Sequence, residues 1–196
     1  TMDILKSFHG GAVGPHYEQS FRSKIRTSLD LIHTMVRDLV ETSNSMIVSR
    51  ENIRILRRKL LALDKGLIGS VPPTAANPIA QFNIATDLRA LVNLLVAAAA
   101  ADNYITLGEH RRRYVELVSV IKPPEVAGFF DQALTRIKAL ADDQSGVFEI
   151  RRQILSLTLT ANNHLFQIQR ESRVLNDVVF AFVRESEARL AQRQNE

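Results

Sequence analysis

The most regular pattern of apolar positions in this chain runs through about its last fifty residues. Between residue 145 and about residue 193 there is no proline, and the only glycine stands at position 146. A first apolar row recurs every seven residues, at Ile154, Ala161, Ile168, Leu175 and Phe182. A second row follows four residues later, at Thr158, Leu165, Ser172 and Val179. Seven-residue spacing keeps one seam of an α-helix against a partner, so we predict one helix roughly 70 Å long.

Apolar periodicity predicts five further helices upstream of this one. We place them at residues 16–48, 50–65, 79–101, 107–120 and 125–141. The apolar stripe of the first contains Phe21, Ile25, Leu29, Ile32, Val36, Leu39 and Val40. The stripe of the second contains Ile53, Leu56, Leu60 and Leu63. Both stripes have the spacing of one buried helix face.

Local signals set the helix boundaries. Residues 43–45 (Ser-Asn-Ser) weaken the end of the first helix, and Ser49 has the character of an N-cap for the second. A single long bent helix over both segments is the open alternative. Thr106 and Glu109 have the spacing of a capping box. Glycines and prolines break the chain at residues 1–15, 66–78 and 123–124.

These elements predict an all-α fold without strands. We expect an elongated antiparallel helical bundle of about six helices with a long C-terminal helix. Residues 1–15 are expected to be irregular because Gly10, Gly11, Gly14 and Pro15 interrupt any helix. Residues 16–196 are expected to form a single helical-bundle domain.

Composition removes most forms of catalysis and metal binding from consideration. The chain contains no cysteine, which excludes a disulfide scaffold, a cysteine-ligated zinc site and a thiol nucleophile. Its five histidines are scattered, and no two have the four-residue spacing of a helical zinc site. His164, inside the last helix, is expected to be a partly buried structural residue. We therefore predict no catalytic residue, no metal and no cofactor.

Arginine clusters are the candidate ligand-binding residues. They comprise Arg54, Arg57 and Arg58; Arg111 and Arg112, with Arg113 beside them; and Arg151 and Arg152. Guanidinium groups match the geometry of carboxylates and phosphates, so a pair between helices would form an anion pocket. The alternative is that each cluster is surface charge. Polar residues along the last helix, such as Asn163 and Asn176, are a second candidate group that could fix helix register or line a pocket.

Net charge adds little to this picture. The chain carries a formal charge of +4 and has a pI near 9.7. Basic and acidic residues alternate, as in the segment 184–189 (Arg-Glu-Ser-Glu-Ala-Arg), which is typical of solvated helix faces. We therefore do not expect nucleic acid as a partner.

One segment carries a family resemblance. It begins with residues 146–155 (Gly-Val-Phe-Glu-Ile-Arg-Arg-Gln-Ile-Leu) and continues through Asn163, Arg170 and residues 175–179 (Leu-Asn-Asp-Val-Val). This resembles the final helix of the periplasmic sensor regions of bacterial transmembrane sensor histidine kinases. The similarity is to the trimethylamine-N-oxide sensor type and to the helical bimodular domains of chemoreceptors.

The resemblance implies a function and a location. It implies two stacked four-helix bundles, a periplasmic position at the bacterial inner membrane, and a homodimer that signals through its terminal helices. The implied partner is a small anionic or polar ligand, or a periplasmic binding protein. No ligand residue of that family aligns onto this chain.

The expected function is therefore ligand sensing for a two-component histidine kinase. A chemoreceptor ligand-binding domain and a cytoplasmic helical scaffold or adaptor are the alternatives. No apolar run reaches the roughly eighteen residues that span a bilayer; the longest is Leu94–Ala101. Because the chain opens at Thr1-Met2 and stops inside a helical pattern, we expect a fragment whose membrane spans lie outside it.

Overall fold

The regular structure of the protein is helical wherever it is described. A computed structural model describes residues 15–68, 78–121, 129–142 and 144–194. Within these ranges it contains five helices: α1 (Pro15–Ile68), α2 (Pro78–Ala100), α3 (Tyr104–Val120), α4 (Phe129–Ala141) and α5 (Val147–Gln194). The all-α class and the long C-terminal helix are confirmed. The predicted irregular segment at residues 1–15 lies almost wholly outside the described residues.

The described part of the chain contains five helices instead of six because the first two predicted helices are one. α1 continues through the serine-rich segment, and Ser49 lies buried inside it at 9% exposure instead of capping a new helix. Poor helix formers cost only a few tenths of a kcal/mol each. The half-buried Met46 and Ile53 on the same face provide packing that outweighs this cost.

The start of α3 also differs from the prediction. Asn103 is the N-cap, and its side-chain oxygen accepts a hydrogen bond of 2.9 Å from the backbone N–H of Thr106. The predicted capping box at Thr106 and Glu109 is therefore wrong, because the helix begins one turn earlier. The predicted start of the fifth helix at residue 125 lies outside the described residues.

The chain divides into two compact units. Unit 1 comprises Thr1–Val40 and Asn162–Glu196, and unit 2 comprises Glu41–Ala161. Helices α2, α3 and α4 belong to unit 2 alone, whereas α1 and α5 contribute residues to both units. The expectation of one domain over residues 16–196 stays a prediction.

Unit 2 has a closed apolar core built around α2, which packs against α3 and α4. Leu88, Leu91 and Leu95 of α2 are fully buried there, as is Ile137 of α4. Burying a leucine completely stabilises the fold by about 1.5–3 kcal/mol. Residues Gln81–Ala100 of α2 are long and apolar enough to cross a membrane by composition alone. Core helices of soluble proteins pass the same test, and 39% of this window is buried.

A heptad seam runs without interruption along α1. Every position in it is buried or half-buried: Phe21, Ile25, Ser28, Ile32, Met35, Leu39, Thr42, Met46, Ser49, Ile53, Leu56, Leu60, Leu63 and Leu67. Helix α5 has the same pattern: Ile150, Ile154, Leu157, Ala161, His164, Ile168, Glu171, Leu175, Val178, Phe182, Glu185 and Arg189. Alternating steps of four and three residues are the period of a coiled coil. Both helices keep this period through their shares of both units.

Unit 1 is formed by α1 and α5 only, within the described residues. The ring of Phe21 stacks on Phe182, with centroids 4.1 Å apart and planes 15° apart. Phe21 lies near the start of the α1 segment, and Phe182 lies far along the α5 segment. The two segments are therefore antiparallel, with their heptad seams facing each other.

Candidate functional site

A pocket of about 400 Å³ opens in unit 2 between α3 and the start of α5. Its lining residues are Tyr104, Leu107, Gly108 and Arg111 from α3, and Phe148, Glu149 and Arg152 from α5. This volume lies within the roughly 300–1,000 Å³ range of small-molecule sites. The pocket is the candidate functional site.

Helical spacing brings these side chains together. The four residues from α3 follow one another at intervals of three, one and three, which places them on one face of the helix. Those from α5 lie in its first two turns. The two helix starts therefore provide the two walls, and what fixes each start also fixes the site.

A tight turn fixes the start of α5. The carbonyl oxygen of Asp142 accepts a hydrogen bond of 2.7 Å from the Gly146 N–H, and its carboxylate accepts one of 3.3 Å from the Gln144 N–H. A Cβ atom on Gly146 would collide with the backbone of Ala141 and Asp142. Glycine is needed here because of this close approach of backbone to backbone.

The charged groups of the pocket are coupled. Arg152 donates two hydrogen bonds to the Glu149 carboxylate, from Nε at 2.8 Å and from a terminal nitrogen at 2.9 Å, and Gln153 donates a third at 3.2 Å. The hydrogen bond from Arg152 is the main cause that lowers the pKa of Glu149, and the charge of Arg111 adds to it. The same pairing raises the pKa of Arg152. Two guanidinium groups and one carboxylate therefore line the pocket.

Two of the seven predicted arginines meet in this pocket, namely Arg111 and Arg152. The others do not line it. Arg112 is exposed and pairs with Glu116 at 3.6 Å, and Arg54 is exposed and pairs with Glu51 at 3.7 Å. Arg57 and Arg58 are exposed along α1. Exposed pairs of this kind contribute little to stability.

Arg151 points away from the pocket and takes part in the structure of unit 2. Its Nε donates a hydrogen bond to the carbonyl oxygen of Ala101, immediately after the last residue of α2. A cation at this position also complements the negative end of the α2 dipole. Burial is the largest cause that lowers the Arg151 pKa, followed by the nearby charge of Arg50.

Sequence reasoning did not identify the other lining residues. Gly108 carried the clearest sequence signal, because it is a glycine inside a helix. In the structure, a Cβ atom added to it would meet no atom within 4 Å. Glycine inside a helix costs roughly 0.5–1 kcal/mol relative to alanine. No packing contact requires that cost at Gly108, and the absence of a side chain leaves the pocket wall open.

Two polar groups of α3 are buried without a hydrogen-bond partner, and one of them belongs to a ring that contacts the pocket residue Phe148. Phe148 packs edge-on against Tyr114, with ring centroids 5.6 Å apart. The Tyr114 hydroxyl and His110 Nδ1 are buried without a hydrogen-bond partner, and burial raises the pKa of Tyr114 to about 12. Among the described residues, no three His, Cys, Asp or Glu side chains form a group that could hold a metal ion.

Comparison with known proteins identifies no relative from which a role for this pocket could be transferred. No protein-family model matches the chain, and neither a curated protein nor a solved structure is significantly similar to it.

Proposed function

We propose that the chain is the ligand-sensing and relay domain of a bacterial transmembrane sensor histidine kinase. In this proposal it lies in the periplasm, forms a homodimer of elongated antiparallel bundles, binds a small organic anion in the unit 2 pocket, and has no catalytic activity of its own. The observation that carries the proposal is the continuity of α1 and α5. Of the helices that the structure describes, only these two contribute to both units, and each keeps one heptad seam throughout.

An unbroken seam suits a helix that transmits a displacement. A heptad without insertions has no local point where a shift can be absorbed by overwinding or unwinding. Ligand binding shifts the population toward whichever packing binds the ligand better, by no more than the difference in affinity. Helix shifts of about 1–2 Å are typical of such transitions. In this proposal α5 receives the displacement at Phe148, Glu149 and Arg152.

The pocket chemistry favours an organic anion with an apolar body. Arg111 and Arg152 line the pocket, and a guanidinium group matches the geometry of a carboxylate. Leu107 and Phe148 are buried and supply an apolar floor, and Tyr104 supplies a ring at 47% exposure. Nitrate or sulfate would leave most of the volume and all of this apolar surface unused.

Thermal unfolding tests the ligand class directly. We would compare benzoate with its neutral isostere benzamide, and with acetate, nitrate, sulfate and trimethylamine N-oxide. A ligand at a hundred times its dissociation constant adds about 2.7 kcal/mol to stability. We expect benzoate to raise the melting temperature and benzamide not to. Equal shifts with both would contradict the anion site, and no shift with any compound would favour sensing through a binding protein.

Matched substitutions locate the binding site. Arg111→Met should abolish the benzoate shift, whereas Arg57→Met, at an exposed arginine away from the pocket, should leave it intact. Gly108→Ala should stabilise the free protein by roughly 0.5–1 kcal/mol and weaken benzoate binding. Gly66→Ala is its control, because that helical glycine also has no atom within 4 Å but lies outside the pocket. Equal loss of binding in both glycine variants would exclude this pocket.

The relay requires a second experiment. The chain has no native cysteine, so paired cysteines report on chosen positions alone. Phe21 and Phe182 form one contact between α1 and α5, and Met46 and Thr158 form another, with sulfur and hydroxyl oxygen 4.0 Å apart. We expect benzoate to change the rate of cross-linking at both cysteine pairs with thiol reagents of graded length. A change at the Met46 and Thr158 positions alone, which lie in unit 2 with the pocket, would exclude transmission along the helices.

A helical scaffold or adaptor is the second candidate function because unit 1 exposes large apolar side chains. Among them are Phe166 and Phe180, which are 68% exposed each. The parent gene separates the two functions. Membrane spans on both sides of this segment favour the sensor, which a chemoreceptor would share, and their absence favours an adaptor that binds partner helices.

A further inference from the structure

Unit 1 leaves a row of apolar side chains exposed on each of its helices. On α1 the row contains Leu29, Val36 and Val40, which are 49%, 42% and 55% exposed. On α5 it contains Leu165, Val179 and Val183, which are 45%, 39% and 44% exposed. Three of the seven residues in the apolar stripe predicted for the first helix are therefore exposed in unit 1.

Both exposed rows have the period of a coiled coil. The α1 row reads Leu29, His33, Val36, Val40, and the α5 row reads Leu165, Gln169, Ser172, Asn176, Val179, Val183. Steps alternate between four and three residues in both, so each row runs parallel to the buried seam of its own helix. A surface with this period is complementary to another helix of the same period.

The two rows lie on the same face of unit 1. Each row residue directly follows a seam residue, as Val36 follows Met35 and Val183 follows Phe182. One residue rotates the side-chain direction by about 100°. Because α1 and α5 are antiparallel with their seams facing each other, the same rotation in both turns the rows toward one side. We call this surface the unit 1 face.

We infer that the unit 1 face binds the unit 1 face of a second copy of this chain. The six apolar side chains expose on the order of 450 Å² together, which matches the apolar share of a standard interface of about 800 Å² per partner. Two helices from each copy complete a four-helix arrangement in which both rows are covered.

A second copy fits this face better than an unrelated helix because the face presents two rows of one period side by side. A two-fold axis pairs a face with itself, so the helix spacing of each copy matches the other by symmetry. Asn176 lies inside the α5 row, where a polar residue fixes register at some cost in stability. The inference rests on the homodimer of the proposed function but not on its ligand, so either can fail alone.

Charge insertion tests the face against matched controls. Val36→Glu and Val183→Glu place carboxylates inside the rows, whereas Leu31→Glu and Phe166→Glu place them at exposed apolar positions outside the rows, 45% and 68% exposed. Sedimentation velocity over a wide dilution series measures the association. We expect the unaltered chain and both control variants to be dimers, and both row variants to be monomers that remain helical by circular dichroism.

A single-cysteine experiment covers the case in which a row variant fails to fold. Val40→Cys should form a disulfide between copies under mild oxidation, and Leu31→Cys should not. A monomeric unaltered chain, or a dimer that all four glutamate variants dissociate equally, would overturn the inference. Loss of association with retained benzoate binding would separate this face from the pocket in unit 2.

Discussion

The two units use the same helices to different effect. In unit 2, the seam residues Leu60 and Leu67 of α1 are 0% and 1% exposed, and Leu91 of α2 is 0% exposed. In unit 1, seam residues of the same helix such as Ile25 and Ile32 remain half-buried. The heptad pattern does not change between them. What changes is the number of helices that surround it.

This difference shows what a heptad pattern by itself determines. Two helices share one seam, and most side chains in that seam keep one flank in water, although Phe21 and Met35 are only 9% and 6% exposed. The additional segments of unit 2 cover those flanks, which produces the fully buried cluster around α2. Side-chain burial is therefore set by the local number of helices, and the unit 1 face is the consequence of the two helices that unit 1 has among the described residues.

The largest expected effect comes from removing a side chain at the centre of the closed core. Leu91→Ala should cost about 2–5 kcal/mol, because the surrounding helices cannot collapse onto the cavity. Leu31→Ala in unit 1 removes the same atoms at 45% exposure and should change stability by less than about 0.5 kcal/mol. Urea unfolding monitored by circular dichroism measures both. Comparable losses of unfolding free energy in the two variants would show that both units exclude water equally, which would contradict the difference in burial argued above.

An intermediate effect is expected from a polar contact that only unit 2 contains. Arg151→Met keeps the apolar stem but leaves the Ala101 carbonyl without its donor, and should cost about 1–3 kcal/mol. In unit 1, Arg189 pairs with Glu185 four residues earlier at 3.3 Å, and Arg189→Met should cost only about 0.3–0.5 kcal/mol. Urea unfolding at low salt and at about 1 M salt distinguishes the two arginine contributions, because 1 M salt screens charges beyond about 3 Å. The Arg151→Met loss should persist in high salt, and its disappearance would show that Arg151 acts as a surface charge.

Much of the fold could be predicted from apolar spacing because the helices are long and strongly periodic. The end of α2, the end of α3 and the whole of α5 follow from it within a few residues. The continuity of α1 does not, because the weak helix formers at residues 43–45 are overridden by packing of Met46 and Ile53, which local propensity does not describe. The stripe predicted for residues 16–48 was correct only in part. Four of its seven residues lie on the seam, whereas Leu29, Val36 and Val40 are exposed, since the sequence does not show how many helices surround each part.

Only part of the candidate site could be predicted from the sequence. Arginine clustering pointed to Arg111 and Arg152, but it pointed equally to Arg57 and Arg58, which are exposed elsewhere. Bringing Arg111 next to Arg152 requires the packing of α3 against the start of α5, and this is a tertiary contact. The role of Arg151 likewise depends on where α2 ends in space, which adjacent positions in the sequence do not encode.

The smallest expected effect tests how completely the core of unit 2 excludes water. Tyr114 is 7% exposed, and its hydroxyl has no hydrogen-bond partner. Removing an unsatisfied hydroxyl while keeping the ring is nearly neutral or stabilising, so Tyr114→Phe should raise stability by up to about 1 kcal/mol. A destabilisation of about 1 kcal/mol or more would instead indicate a buried water shared with His110.

The alkaline limit of stability gives the same residue a second readout. Burial raises the pKa of Tyr114 from 10.0 to about 12, so the native state retains a proton that the unfolded chain releases first. Stability is therefore fully present below pH 10 and falls as the pH rises from 10 toward 12. The Tyr114→Phe variant lacks this contribution, and its advantage over the unaltered chain should grow across that interval. A difference that stays constant with pH would mean that the hydroxyl is hydrated, and that the core of unit 2 is open to water at the back of the pocket.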